Sequence, residues 1–213
     1  MDREMLKCNA KEQLRGNWGL AVRTLFIFTA LESITSLLNL LEEFHISKFD
    51  SSISDWSFVI VLIFEGVFNL GVCKFTLNIT MNKEEAKFND AVSGFDVFLK
   101  TLGLNLLITI CTIVGFLLFI APGFVIISMF SQAFYILSED KSKGIIECLR
   151  ESARMMKGHK WEYFILAFSF VGWDILTKIT FYIGDLWLNP YKQVTYTNYY
   201  LELKKEIGVR KSD

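Results

Sequence analysis

The sequence predicts an all-α fold: a polytopic transmembrane bundle of about six spans, arranged as three helical hairpins that each follow a cytoplasmic amphipathic helix. Hydrophobic residues make up 52% of the 213 residues, while charged residues stay at 21%, close to the average for soluble proteins. The apolar residues are therefore gathered in blocks with the charges between them, which is typical of a membrane protein. Basic residues are concentrated in every second connection. We expect one membrane domain over residues 1–213.

The first two spans are predicted at about 20–41 and 58–80, where apolar runs can cross a hydrocarbon core of about 30 Å. The segment before the first run is amphipathic and mixed in charge. Because the first run lacks a small-residue cleavage site, we expect it to remain in the protein rather than to be removed with a signal peptide.

The third apolar block, 101–138, contains no charged residue and has Pro122 and Gly123 near its centre. One continuous helix of that length would extend beyond about 50 Å, a mismatch that tilting in a membrane cannot absorb. Proline disfavours helical geometry at the residue before it, and glycine tolerates a turn. The sequence therefore favours two antiparallel spans, at about 102–119 and 123–138, over one kinked helix.

The fifth span is predicted at about 163–183, although Asp174 and Lys178 interrupt its apolar run. The last block, about 186–203, is aromatic and polar, with Pro190 near its start. This block is either a short sixth span or a helix that lies in the membrane interface.

The positions of lysine and arginine favour six spans, because inserted proteins keep basic residues on the cytoplasmic side. The N-terminal segment, the connections 81–100 and 139–161, and the C-terminal tail each contain at least three lysine or arginine residues. By contrast, the 42–57 loop holds one lysine among four acidic residues, and the turn at Pro122 has no basic residue. The alternation is strict if 101–138 is a hairpin and the last block crosses. We therefore expect a plasma membrane protein with both termini in the cytoplasm.

Amphipathic segments are predicted before the hairpins. "AKEQLRGNW" (10–18) and "ARMMKGHKW" (153–161) share a basic-Gly pair and a tryptophan at the membrane edge. Apolar residues also recur at helical spacing in the two later basic connections. These stripes are Phe88, Ala91, Val92, Phe95, Phe98 and Leu99 in one connection, and Ile145, Ile146, Leu149, Ala153 and Met156 in the other.

The chain resembles a known family, the bacterial integral membrane proteins catalogued as domain of unknown function nine-seven-five. The matching pieces follow one another along nearly the whole chain, and the most specific lie in "ECLRESARMMKGHKWEYF" (147–164) and "WLNPYKQVTYTNYYLEL" (187–203). The link "EEFHISKFDSSISDW" (42–56) departs from the shorter, glycine-rich link usual there. The resemblance implies a multi-span helical membrane protein and no particular activity. The other pieces are "AKEQLRGNWGLAV" (10–22), "NLGVCKFTLNI" (69–79), "FNDAVSGFDVF" (88–98) and "APGFVIISMFSQAFYIL" (121–137).

Four ionisable residues inside the predicted spans are candidate functional residues, because each charge there costs about 2.5–3.5 kcal/mol on insertion scales. They are Glu32, Glu65, Asp174 and Lys178. Counted from the cytoplasmic end of each span at about 1.5 Å per residue, all four lie at a depth of roughly 16–22 Å. One hypothesis is therefore an intramembrane polar cluster that binds a proton or a cation.

Structural contacts are the alternative for these four residues, and the sequence favours them. Asp174 and Lys178 have the spacing of an ion pair on one helix face. The two glutamates would then be protonated or hydrogen-bonded to Ser33, Thr35 or Asn69.

A second candidate site lies at the basic and aromatic end of the 139–161 connection. It comprises Arg154, Lys157, His159, Lys160 and Trp161. A histidine suggests a pH switch, but its neighbours favour an interfacial anchor for anionic lipid headgroups. Membrane lipid is therefore an expected partner.

The sequence contains no motif for catalysis, for a cofactor or for nucleic-acid binding. Four scattered cysteines and two distant histidines give no metal-ligand spacing. We therefore expect no enzymatic activity, cofactor or metal. The favoured role is a scaffold, envelope-associated or partner-binding membrane protein, whose partner is another membrane protein or a second copy of the chain. A small proton- or cation-coupled transporter is the alternative, and an enzyme that acts on lipid is a distant third.

Overall fold

The computed structural model describes residues 2–26, 51–81, 87–91, 93–180 and 183–212, with the backbone alone at 51–62, 88–89 and 209–212. The regular elements in these ranges are all helical, as the sequence predicts. Most of the first predicted span, including Glu32, lies outside the described residues. In chain order the elements are α1 (Arg3–Leu14), α2 (described over 18–26), α3 (Ser51–Met81), α4 (Phe88–Ala91), a 3₁₀ helix (Ser93–Val97), α5 (Phe98–Leu118), α6 (Ile120–Phe130), α7 (Ala133–Glu139), α8 (Ile145–Met155), α9 (Lys160–Ile179) and α10 (Asp185–Ser212).

Two helical stretches in the described part of the chain, Ser93–Leu118 and Ile120–Glu139, are long and apolar enough to cross a membrane. They are separated by Phe119, whose backbone is extended at φ −166° and ψ 159°. Pro122 lies in the first turn of α6, where a missing N–H removes no helical hydrogen bond. The uncharged block is therefore broken at Phe119, before the Pro-Gly pair that predicted the break.

Glycine lets α5 and α6 approach closely beside this break. A Cβ atom built at Gly115 would lie 3.1 Å from the Cα atom of Gly123. The rings of Phe116 and Phe124 pack edge to face with their centroids 5.5 Å apart. These contacts join residues on either side of Phe119, so α5 and α6 pack against each other beside the break.

The helices α1, α3, α7 and α10 pack around a core that is aromatic and partly polar. The rings of Tyr135 and Tyr200 stack with centroids 5.0 Å apart. The hydroxyl oxygen of Thr197 lies 2.8 Å from that of Thr76, and all four side chains are buried. Helices far apart in the sequence are therefore joined by hydroxyl groups as well as by apolar packing.

Helix α1 docks on α10 through a reciprocal pair of amide hydrogen bonds. Gln13 Nε2 donates to Asn198 Oδ1 at 3.0 Å, and Asn198 Nδ2 donates to Gln13 Oε1 at 2.7 Å. The apolar face of α1, formed by Leu6, Ala10 and Leu14, is buried. The N-terminal amphipathic segment is thus part of the bundle core.

Helix α10 continues through Pro190, so the last predicted block is one long helix without a break at that proline. The amphipathic helix α8 is present, but its buried face is turned relative to the predicted stripe. It includes Cys148 and Ser152, while Ile146 is 58% exposed.

The other predicted stripe does not form a single helix. Its described residues are divided among α4, the 3₁₀ helix and the start of α5, whereas Val92 lies outside the described residues. Phe95 and Leu99 are exposed. The described residues of this connection pack against α3. Gly71 of α3 lies against Ala91, and Val67 of α3 lies against Gly94.

Two contacts disagree with the predicted span registers. At about 1.5 Å per residue, Gly66 should lie about 21 Å from the cytoplasmic end of its span, yet a Cβ atom built there would meet the main-chain oxygen of Thr101 at 2.6 Å. The rings of Phe124 and Phe164 are 5.5 Å apart, although the predicted spans place these residues near opposite faces. The structure therefore does not support six spans side by side in those registers.

Candidate functional site

A polar cavity of about 390 Å³ lies between α3, α5, α6, α7 and α9. It contains the carboxyl group of Glu65, and most of the other polar lining groups are amides and hydroxyls. These groups face an apolar wall of isoleucine and phenylalanine side chains. The polar lining residues are Glu65, Asn69, Asn105, Thr109, Thr112, Ser131 and Tyr163.

A glycine positions Glu65 in this cavity. Gly66, the next residue, allows α3 to contact α5 so closely that a Cβ atom there would lie 2.9 Å from Asn105 Cβ. At this separation Asn105 Nδ2 donates a hydrogen bond to Glu65 Oε2 at 3.3 Å. Asn105 itself is 5% exposed, whereas Glu65 is exposed. Asn105 therefore bonds to one oxygen of the Glu65 carboxylate, while the Glu65 side chain remains exposed.

The chemistry of this lining suits a cation, a proton or a small hydrogen-bonding molecule. A carboxylate accepts hydrogen bonds, and amide and hydroxyl groups both donate and accept them. A mainly apolar cavity with a few convergent polar groups is the usual form of a small-molecule site. The described part of the chain holds no group of three or more His, Cys, Asp or Glu residues that could bind a metal.

The other residues of the predicted polar cluster have separate surroundings. Asp174 forms an ion pair with Lys192 of α10 at 2.7 Å, rather than with Lys178 on its own helix, which is exposed. Glu65 is bonded to Asn105. Since Glu32 lies outside the described residues, a cluster of all four residues stays a prediction. That prediction assumed that the four residues share one depth in the membrane, and this depth was calculated from span registers that the structure does not support.

The sequence did not identify Lys192 or Asn105 as partners, because both lie on other helices. Helical spacing finds pairs only within one element. The sequence does not indicate which carboxylate Lys192 of polar-rich α10 would pair with, or which one Asn105 of apolar α5 would bond to.

The predicted lipid anchor also contains a contact that the sequence did not show. His159 Nδ1 lies 3.1 Å from a carboxylate oxygen of Glu162, and Nε2 lies 3.2 Å from one of Glu206. Tyr199 donates its hydroxyl hydrogen to the main-chain oxygen of His159 at 2.9 Å. His159 therefore joins the start of α9 to α10, while Trp161 is 68% exposed.

Several basic residues of the predicted loop connections form hydrogen bonds or ion pairs with other residues of the protein. Lys100 Nζ donates to main-chain oxygens of residues 141–143, the shortest at 2.7 Å. Lys141 pairs with Asp96 at 2.6 Å. The Glu151 carboxylate bonded to Lys143 raises the pKa of that ammonium group. These charges hold the 140–144 loop against its neighbours.

The family model described as "Protein of unknown function (DUF975)" matches the chain over residues 1–133 and 110–207. The chain belongs to this family. Membership confirms the resemblance found in the sequence motifs, and the matched ranges include each helix that lines the polar cavity. The description of the family names no activity. No curated protein and no solved structure matches the chain.

Proposed function

We propose that this protein is a multi-pass integral membrane protein of the plasma membrane that binds a protein partner and catalyses no reaction. The exposed apolar surface of α5 and α6 is the observation that supports membrane insertion. At the break between these helices, Leu117, Leu118, Phe119 and Ile120 are each at least 65% exposed. A continuous apolar surface of this kind marks a membrane or protein contact.

The charge pattern supports an even number of crossings with both termini in the cytoplasm. The apolar blocks of the sequence favour six crossings. Cysteine labelling with a membrane-impermeant reagent tests this topology, using Leu118→Cys and Lys211→Cys separately in a background without Cys8 and Cys111. We expect labelling of Leu118→Cys in intact cells and of Lys211→Cys only after lysis. Labelling of both in intact cells, or of both only after lysis, would contradict the topology.

The outer face of α8 supports partner binding. Ile146 is 58% exposed beside the exposed side chain of Arg150, whereas Leu149 and Met156 of the predicted stripe are buried and serve the fold. Affinity purification in mild detergent tests this role with Ile146→Glu. We expect the variant to stay folded and to lose a stoichiometric partner that wild-type protein retains. Met5→Glu, a change at an exposed residue of α1, is the control and should retain the partner.

The cavity around Glu65 favours a second candidate function, a small proton- or cation-coupled transporter. An accessible carboxylate among hydroxyl and amide groups is the kind of group that such a transporter needs. Glu65→Gln keeps the size of the side chain while removing the charge. We expect this variant to lose pH-dependent flux in liposomes, whereas Glu4→Gln, which removes an exposed charge from α1, keeps it. Unchanged flux in folded Glu65→Gln would exclude this role.

A further inference from the structure

A second groove, of about 340 Å³, lies between the first half of α6 and the start of α9. Its walls are apolar apart from Ser128 and Lys160. Ser128 donates its hydroxyl hydrogen to the main-chain oxygen of Phe124 at 2.9 Å, so it has no hydrogen to offer a ligand. The groove is therefore an apolar slot with one cation beside it. Its lining residues are Ala121, Phe124, Val125, Ser128, Lys160, Trp161 and Phe164.

Stacked aromatic rings form the wall of this groove. The Trp161 indole stacks on Phe164 with centroids 5.3 Å apart, and Phe164 meets Phe124 edge to face at 5.5 Å. Trp161 nevertheless keeps 68% of its surface exposed. An indole that is packed on one face and open on the other is typical of the membrane interface.

Positive charge is available at this end of α9. The side chains of Arg154, Lys157 and Lys160 form no hydrogen bond or ion pair with other residues in the described ranges. The nearby carboxylate of Glu162 is bonded to His159. An anion beside the groove would therefore meet unpaired basic groups, in contrast to the 140–144 loop, where Lys141 is already bonded.

We propose that this groove binds a hydrocarbon chain of an anionic phospholipid, whose phosphate pairs with Lys160. A peptide would fit poorly, because most of its main-chain groups would be desolvated against walls that are mainly apolar and offer few hydrogen-bond partners. A lipid chain has no such groups, and its headgroup matches the basic edge. This inference rests on membrane insertion, since the bilayer supplies the ligand.

Quenching of Trp161 fluorescence by brominated lipid tests the proposal. The four other tryptophans, Trp18, Trp56, Trp173 and Trp187, are changed to phenylalanine, and the protein is reconstituted in vesicles of phosphatidylcholine and phosphatidylglycerol. Bromine is placed on the acyl chains of either lipid at the same mole fraction. We expect brominated phosphatidylglycerol to quench with about fivefold preference, the ratio that corresponds to about 1 kcal/mol for one basic side chain near anionic lipid.

Two pairs of variants test separately the contribution of the Lys160 charge and that of the apolar groove. Lys160→Gln should abolish the preference, whereas Lys178→Gln, the same change at the other end of α9, should keep it. Val125→Phe fills the groove and should reduce quenching by both lipids, whereas Val114→Phe, at an exposed site of α5, should not. Equal quenching by the two lipids in the unmodified groove, or equal effects within either pair, would overturn the proposal.

A reporter on α5 distinguishes this failure from a failure of membrane insertion. Ile110→Trp, at an exposed apolar position in the middle of α5, should be quenched by both brominated lipids in a background without other tryptophans. If it is quenched and Trp161 shows no preference, the lipid groove is wrong and insertion stands. If neither tryptophan is quenched, both proposals are wrong.

Discussion

The hydroxyl group of Ser152 donates to the main-chain oxygen of Met129 at 2.8 Å and accepts the main-chain N–H of Gln132 at 3.2 Å. Both main-chain groups lie where α6 gives way to α7, so a side chain of α8 satisfies groups at the break in a neighbouring helix. Ser152 is fully buried, and water therefore cannot replace it. The bend between α6 and α7 is in this way linked to the position of α8.

Replacing Ser152 with alanine should destabilise the protein. The change leaves the buried main-chain N–H of Gln132 and the partly buried main-chain oxygen of Met129 without this partner. We therefore expect the free energy of unfolding to fall by about 1–3 kcal/mol. Unfolding in detergent, followed by circular dichroism, measures this loss. Ser169→Ala is the control, because the hydroxyl of Ser169 donates only to Leu166 of its own helix, and an equal loss in both variants would contradict the bridging role.

Gly71→Ala should be strongly destabilising, because a Cβ atom at this position would overlap the main-chain oxygen of Ala91. Relieving that overlap requires a backbone shift, at a cost of about 1–3 kcal/mol or more. Gly172→Ala, in the interior of α9, meets nothing within 4 Å and should stabilise by about 0.5–1 kcal/mol through helix propensity. Thermal unfolding of the two variants compares them, and similar shifts in the same direction would refute the close contact of α3 with α4.

The ion pair of Asp174 with Lys192 predicts which charge changes affect stability. Lys192→Gln should lower the free energy of unfolding by roughly 0.5–1 kcal/mol, since the pair is only partly buried, whereas Lys178→Gln should leave it nearly unchanged. The double exchange Asp174→Lys with Lys192→Asp should recover part of the loss. Chemical unfolding of the four proteins measures these values, and a larger effect of Lys178→Gln would favour a pair within α9.

The turn after α7 should loosen in acid. Ser142 donates both its hydroxyl hydrogen and its main-chain N–H to Asp140, and these bonds hold the pKa of the Asp140 carboxyl below its ordinary value. A lowered pKa in the folded state means that the stabilisation is present above the ordinary value, about 3.9, and is lost as pH falls through the lowered one. Hydrogen exchange of the Ser142 amide, corrected for its intrinsic rate, should therefore lose protection below about pH 4.

The amide of Cys148 provides the comparison for this measurement, because it donates to the main-chain oxygen of Gly144 at 3.0 Å rather than to a carboxylate. Its protection should stay constant over the same pH range. Asp140→Ala should remove the acid-dependent step at Ser142. A step of unchanged size in that variant would assign the titration to another group.

The polar cavity could be predicted from the sequence only in part. A lone glutamate in an apolar run identifies Glu65 as unusual, because a charge inside an apolar span is costly and therefore rare. Its partner could not be predicted, since Asn105 reaches it only where Gly66 lets two helices touch. That contact depends on shape complementarity between elements forty residues apart, which no local pattern encodes.

The sequence by itself determined the helical class, the family, and the division of the uncharged block 101–138 into two helical stretches, because these follow from composition, sequence motifs, apolar spacing and the restricted backbone at proline. Only the tertiary structure decided where the division falls, since Pro122 is equally suited to the first turn of a helix. It also decided how α3 is aligned with α5, and that Asp174 forms its ion pair with Lys192. The physical reason is that side-chain fit between distant elements fixes registers and partners, whereas local preferences fix only the elements themselves.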